Sequence, residues 1–149
     1  MSEYDNGNGS LVKILPIIFY LQPKYGDSFT KNNDAYEVIH NISALTHRHK
    51  RSQMACGIYL SIASNILIGT NLDFAVKSRI YDAMEYYKNK EDFKEELHHF
   101  YRIENKNFKE LQKKEIDSGG YIVSTLEASI WCLLNINDFR SCVLLKLLI

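Results

Sequence analysis

The sequence predicts an all-α fold, and three observations support that prediction. Apolar residues recur at three- and four-residue spacing along most of the chain, which is the period of one helix face. No run alternates polar and apolar residues as a half-buried strand does. The 149 residues are 46% hydrophobic and 24% charged, with 2 Pro and 7 Gly, a composition that excludes collagen-like and disordered classes.

The N-terminal part predicts a glycine-rich loop over residues 6–10 and, directly behind it, an apolar helix over residues 10–17 within the apolar run 11–21. Lys13 and Pro16 interrupt this apolar run, and acidic residues precede it, so we expect no signal peptide. No stretch reaches the roughly 20 apolar residues that a membrane span needs. We therefore expect a cytoplasmic protein without a membrane partner. A further helix toward Thr46 is predicted to open at Asp34 and Glu37, which have the spacing of a loose capping box.

The clearest helix is predicted over residues 48–68, and Gly69 follows at the usual stop position. Its apolar stripe consists of Ala55, Ile58, Tyr59, Ile62, Ala63, Ile66 and Leu67. The next helix is predicted over residues 72–87. Its apolar side consists of Leu72, Ala75, Val76, Ile80, Ala83 and Met84.

Residues 85–117 mix charges of both signs with scattered apolar residues. We predict a solvated helical excursion without a ligand site, because such mixed runs are typical of solvent-facing helices. The residues expected to tether it are Phe93, Leu97, Phe100, Phe108 and Leu111. Beyond it, a capping box over residues 124–127 predicts a helix over 126–134, and a last helix is expected to start near Asn137 or Asp138.

Charge and cysteine usage narrow the function classes. The chain has 18 Lys and Arg against 18 Asp and Glu, so no net field would hold a nucleic acid or an anionic membrane. The three cysteines, Cys56, Cys132 and Cys142, lie in apolar helical contexts and are predicted to be buried thiols. The adjacent His98 and His99 do not have the spacing of a metal pair.

Four of the seven glycines lie directly before predicted helices, in residues 6–10 and 119–120. Glycines there would permit positive φ and bring successive amides, together with a helix N-terminus, close to phosphate oxygens. The alternative is an ordinary turn. Lys13 opposes the helix dipole near that start, so it needs a nearby anion or plain exposure.

A basic stretch over residues 46–51 begins the long helix, where the helix dipole also disfavours cations. An anionic ligand or an acidic neighbouring helix would explain it. The alternative, equally open at this point, is that Arg48, Lys50 and Arg51 are solvated and that His47 is a hydrogen-bonded core histidine.

Three blocks of the sequence, taken in order, resemble the ADP-ribosylglycohydrolase family. They are NGNGSLVKILP at residues 6–16, SALTH at residues 43–47, and GYIVSTLEASIW at residues 120–131. The resemblance implies an all-α multi-helix bundle that cleaves ADP-ribose from modified side chains such as arginine, with a pair of magnesium ions. It further implies that the ligand site includes Gly7, Asn8, Gly9, Ser10, His47 and Tyr121. The first four would hold the phosphates and adjoining ribose, His47 would approach from the long helix, and Tyr121 would line the cleft.

The family's metal ligands come from an Asp-Asp pair before the glycine loop and an Asp-x-Asp-Thr cluster after the last helix, and this sequence contains neither. Two-metal hydrolysis requires such carboxylates. We therefore expect that this chain binds no magnesium and does not hydrolyse the ligand. Its catalytic residues are unknown. The hypothesis is that residues 1–149 form an incomplete bundle, a frameshifted or otherwise truncated internal fragment of a longer hydrolase; the flanking DNA would show whether both motifs exist.

Two alternatives remain open at this point. The chain could be a non-catalytic binder of ADP-ribose or a nucleotide, or a helical structural protein like the family's crystallin-like members. If flanking helices normally cover the stripe on residues 48–68, we also expect self-association through exposed apolar helix faces.

Overall fold

The computed structural model describes residues 6–117, 119–136 and 138. These residues form α-helices and short 3-10 segments with no strand, which confirms the all-α class. The α-helices are α1 (Gly9–Ile14), α2 (Ile18–Tyr25), α3 (Asn33–Ala44), α4 (Lys50–Leu67), α5 (Leu72–Lys88), α6 (Tyr101–Glu104) and α7 (Ile122–Asn135). The 3-10 segments are Leu15–Ile17, Phe29–Lys31, Glu91–Phe100, Phe108–Glu110 and Lys113–Glu115.

Helix α4 is the centre of the fold. It packs against α1, α3, α5, α7 and the Glu91–Phe100 segment, and it is buried along most of its length, including its polar residues Ser52 and Ser61. The predicted stripe is therefore largely covered within the chain, and only Leu67 at its end is more than half exposed. The expected route to self-association through this stripe is wrong. Self-association itself stays a prediction that would have to use other exposed apolar residues, such as Val12 and Phe19.

Helix ends agree with the sequence at some positions and differ at others. Gly69 ends α4 in the left-handed region with φ of 82°, as its stop position predicts. Helix α3, however, is capped by Asn32, whose side chain accepts from the amides of Asp34 and Ala35 at 2.9 and 3.2 Å. The capping box at Asp34 and Glu37 was wrong because the better acceptor lies two residues earlier.

Helix α7 begins at Ile122, four residues before the predicted start. The hydroxyls of Ser124 and Thr125 therefore lie inside the helix, where they donate to Asp117 and to the Gly119 carbonyl. The predicted capping box over residues 124–127 was wrong. The predicted last helix near Asn137 falls almost wholly outside the described residues.

The predicted charged excursion is helical, but much of it is 3-10 helix. Phe93, Leu97, Phe100 and Phe108 are buried and Leu111 is partly buried, as predicted. The excursion is nevertheless not solvated throughout, because Glu96 contacts the start of α4.

Two further expectations concern thiols and the membrane. Cys56 and Cys132 are both buried, as predicted, and Cys142 lies outside the described residues. Within the described part of the chain, no helix has the length and hydropathy to cross a bilayer.

Candidate functional site

Two glycine-containing segments that are far apart in the sequence lie side by side. Gly7 pairs with Tyr121 in an isolated antiparallel bridge. Its two hydrogen bonds, 3.0 and 2.9 Å long, run from the amides of Asn8 and Ile122 to carbonyls of the opposite segment. The fold therefore brings the first and last of the predicted site residues together.

Side-chain hydrogen bonds attach this glycine segment to the neighbouring helices. Asn8 donates through Nδ2 to Oγ1 of Thr125 at 3.1 Å, and Thr125 donates in turn to the Gly119 carbonyl. Asn6 is buried, and its Oδ1 accepts from the hydroxyl of Ser52 in α4 at 3.3 Å. The backbone at residues 6–9 is thus tied to both α4 and α7.

The His47 ring lies directly against the glycines. A Cβ built on Gly9 would be 2.9 Å from Cε1 of His47, and one on Gly7 would be 3.6 Å from Nε2. Neither glycine has positive φ, so that part of the prediction was wrong. Gly9 is needed for close approach of the ring, rather than for an unusual backbone conformation.

His47 reaches this position from the turn before α4, not from the helix itself. Its amide donates to the Ser43 carbonyl at 2.8 Å, and its Nδ1 lies 3.0 Å from the hydroxyl of Thr46. The predicted helix start at Arg48 was two residues early, because α4 begins at Lys50 with His49 as its N-cap. His47 is half-buried at the cleft rather than a core histidine.

The first turn of α1 offers backbone donors to this cleft. The first intrahelical bond is donated by Val12 to the Asn8 carbonyl, so the amides of Gly9, Ser10 and Leu11 are left outside the helix ladder. Ser10 is buried, with its hydroxyl beside the Cys56 thiol, and burial raises the pKa of that thiol.

Arg51 and Glu96 join Tyr121 at the other side of the bridge. Arg51 is only 6% exposed, and its Nε donates to Oε2 of Glu96 at 2.7 Å. Its Nη1 donates to the Tyr121 hydroxyl at 2.9 Å. The guanidinium carbon also lies 5.8 Å from the centroid of the Tyr121 ring. Tyr121 is therefore held through its backbone and through its phenol.

These contacts decide between the two interpretations of the basic stretch. Lys50 pairs with Asp92 at 3.5 Å, and His49 and His99 lie 3.8 and 3.7 Å from Glu96. An acidic neighbour, the Glu91–Phe100 segment, thus accounts for the cations at the start of α4. Arg48 is exposed, as the alternative interpretation expected, and so is Lys13.

Metal-binding residues and cavities are the remaining features that bear on a ligand. The described residues contain no group of three or more His, Cys, Asp or Glu that could hold a metal ion. A cavity of about 450 Å³ lies away from the glycine segment, near the end of α7, with Val76, Ile80 and Leu134 in its wall. A smaller one of about 170 Å³ lies between α1 and α7 beside Thr125.

Comparison with known proteins gives the family. A model described as ADP-ribosylglycohydrolase matches residues 2–147. This chain belongs to the ADP-ribosylglycohydrolase family. No curated protein and no solved structure matched the chain. The family is generally metal-dependent, but the described residues do not supply carboxylates that fit a magnesium pair.

In this ADP-ribosylglycohydrolase family member, Gly7, Gly9, His47 and Tyr121 lie together, but three neighbouring residues were missed. Arg51, Glu96 and Thr125 were not predicted as site residues. Arg51 contacts Tyr121 and Thr125 contacts Asn8, whereas Glu96 contacts Arg51. Arg51 carried a signal, since a cation in the first turn of a helix needs a compensating anion. Glu96 carried none, because nothing local distinguishes it from the other acids of residues 85–117.

Proposed function

We propose that the chain binds the ADP-ribose moiety in the cleft where residues 6–9, His47 and Tyr121 meet. The observation that supports this proposal is that distant parts of the chain meet at one place. Three sequence blocks that resemble the family, separated by about 30 and 70 residues of chain, pack together around one bridge.

The chemistry of the cleft suits a pyrophosphate linked to ribose. Amides at the start of α1 lie outside the helix ladder, and such groups bind phosphate oxygens. His47 adds ring nitrogens and Tyr121 an aromatic face for the neutral parts of the ligand. Since the net charge is zero, affinity for the anionic ligand would depend on these local donors.

We further propose that residues 1–149 do not hydrolyse the ligand by themselves. The Asp-Asp and Asp-x-Asp-Thr motifs are absent from the sequence. Glu127, a buried carboxylate of α7, is paired with Arg102 at 3.0 Å, and burial raises its pKa. It does not replace two motifs that must fix ions and activate water.

Isothermal titration with ADP-ribose tests the binding proposal. We expect measurable binding by the 149-residue chain and an affinity lower by on the order of tenfold in His47→Ala, because a close cleft contact is removed. The matched control is His98→Ala, which changes an exposed histidine on the Glu91–Phe100 segment. Absence of binding by the wild-type chain would refute the proposal. Release of ADP-ribose from an ADP-ribosylated arginine substrate in the presence of magnesium would refute the lack of activity.

A second variant tests the packing of the His47 ring. Gly9→Ala is expected to weaken ADP-ribose binding with little loss of thermal stability, because a half-buried ring at the surface can move away from the new methyl group. Gly7→Ala is the control, since its methyl would make an ordinary van der Waals contact with the same ring. Equal binding by the two variants would contradict the assigned position of His47.

A further inference from the structure

The Arg51 side chain is buried although it lies in the first turn of α4, where the helix dipole is unfavourable for a cation. A buried guanidinium without an anion would be strongly unfavourable. Glu96, whose side chain is 17% exposed, compensates that charge at 2.7 Å. The burial of both side chains is therefore possible because the charge of each partner compensates the charge of the other.

This arrangement leaves the Nη donors of Arg51 for other acceptors. While Nε faces Glu96, Nη1 donates to the hydroxyl of Tyr121. The planar, rigid fork of an arginine can hold both acceptors at once, whereas a lysine has a single ammonium. The Tyr121 phenol is consequently fixed at one end by Arg51, and its backbone is fixed at Gly7.

We propose that Arg51 and Glu96 are positioning residues that hold Tyr121 in the geometry needed to bind ADP-ribose. Glu96 acts through Arg51, and Arg51 acts through the Tyr121 hydroxyl. One consequence is that the charged residues 85–117, expected from the sequence to lack a ligand site, contribute to this one. The proposal rests on the proposed function, and the experiment below separates the two.

A double-mutant cycle in ADP-ribose binding is the main test. Arg51→Lys and Tyr121→Phe are each expected to weaken binding by on the order of tenfold. If Arg51 works through the Tyr121 hydroxyl, the double variant binds about as well as Tyr121→Phe alone. Additive losses would overturn the proposal, because Arg51 would then act independently of Tyr121.

Glu96→Gln and Asp92→Asn form a matched pair from one segment. Both remove a carboxylate that pairs with the start of α4, but only Glu96 contacts the arginine that reaches Tyr121. We expect Glu96→Gln to weaken ADP-ribose binding and Asp92→Asn to leave it unchanged. The same loss in both variants would indicate a general charge effect and overturn the proposal. If Arg51→Lys fails to fold, this pair still decides the question.

A spectroscopic measurement distinguishes failure of this proposal from failure of the proposed function. The aromatic ¹H–¹³C resonance of Tyr121 is assigned by its loss in Tyr121→Phe. It is expected to shift in Glu96→Gln but not in Asp92→Asn, without any ligand present. If the wild-type chain does not bind ADP-ribose, the proposed function fails, and the shift still shows whether Glu96 positions Tyr121. An unmoved resonance in Glu96→Gln overturns the positioning proposal.

Discussion

Gly57→Ala is expected to lower the free energy of unfolding by about 3 kcal/mol, the largest loss expected from alanine at any of the seven glycines. Gly57 lies in the middle of α4, and a Cβ built on it would be 1.9 Å from the Tyr87 hydroxyl and 3.0 Å from Cε1 of Tyr36. Glycine inside a helix normally costs about 1 kcal/mol relative to alanine. The expected sign is therefore opposite to the propensity effect.

Tyr87 cannot move aside cheaply. Its side chain is fully buried, and its hydroxyl lies 2.9 Å from Nε2 of His40 and 3.4 Å from the Gln53 carbonyl. The new methyl group would have to displace this hydroxyl or separate α4 from α5. Urea unfolding measures the loss, which corresponds to a melting temperature lower by roughly 10 °C in a chain of this size.

Two companion variants make the prediction specific. Gly120→Ala adds a methyl group where no atom lies within 4 Å, so it should leave stability nearly unchanged. Tyr87→Phe removes the closest atom, so adding it to Gly57→Ala should recover part of the loss rather than add to it. Wild-type stability in Gly57→Ala would show that α5 does not pack this closely on α4.

The long helices show what local sequence determines. The 72–87 prediction agrees with α5 within one residue, and the 48–68 prediction agrees with α4 within two. Their apolar periodicity is long and regular, and the stop at Gly69 has a local backbone cause. Helix starts were less well predicted, because several polar residues near a start can serve as cap and tertiary contacts choose among them.

The candidate site shows what local sequence does not determine. The grouping of the glycine segment, His47 and Tyr121 followed only from the family resemblance, since no spacing rule brings residues 7 and 121 together. The Arg51–Glu96 contact joins residues 45 positions apart and depends on where the Glu91–Phe100 segment packs. This segment is a 3-10 helix of ten residues, which is unusually long. The helical spacing of its charged residues did not predict that form.

Burial of His40 is expected to make folding strongly dependent on pH. His40 packs among Tyr36, Tyr86, Tyr87 and Phe93, and burial, reinforced by Lys50 and Lys90, lowers its pKa to about 4. In the unfolded chain the same ring has a pKa near 6.5. The unfolded state therefore binds a proton that the folded state rejects between these two values.

The sign follows from that difference in bound protons. The contribution of neutral His40 to stability is fully present above pH 6.5 and is lost as the pH falls to about 4. At 1.36 kcal/mol per pKa unit, the loss over this window is about 3 kcal/mol. Urea unfolding at several pH values between 7 and 4 measures it.

The difference between two variants isolates this effect from the carboxylates, which also titrate toward pH 4. His40→Gln is neutral throughout and can still reach the Tyr87 hydroxyl, so its stability should fall less than that of the wild type by about 3 kcal/mol over the same window. His98→Gln changes an exposed histidine and should follow the wild-type curve. Parallel curves for the wild type and His40→Gln would contradict the prediction, because His40 would then titrate alike in the folded and unfolded states.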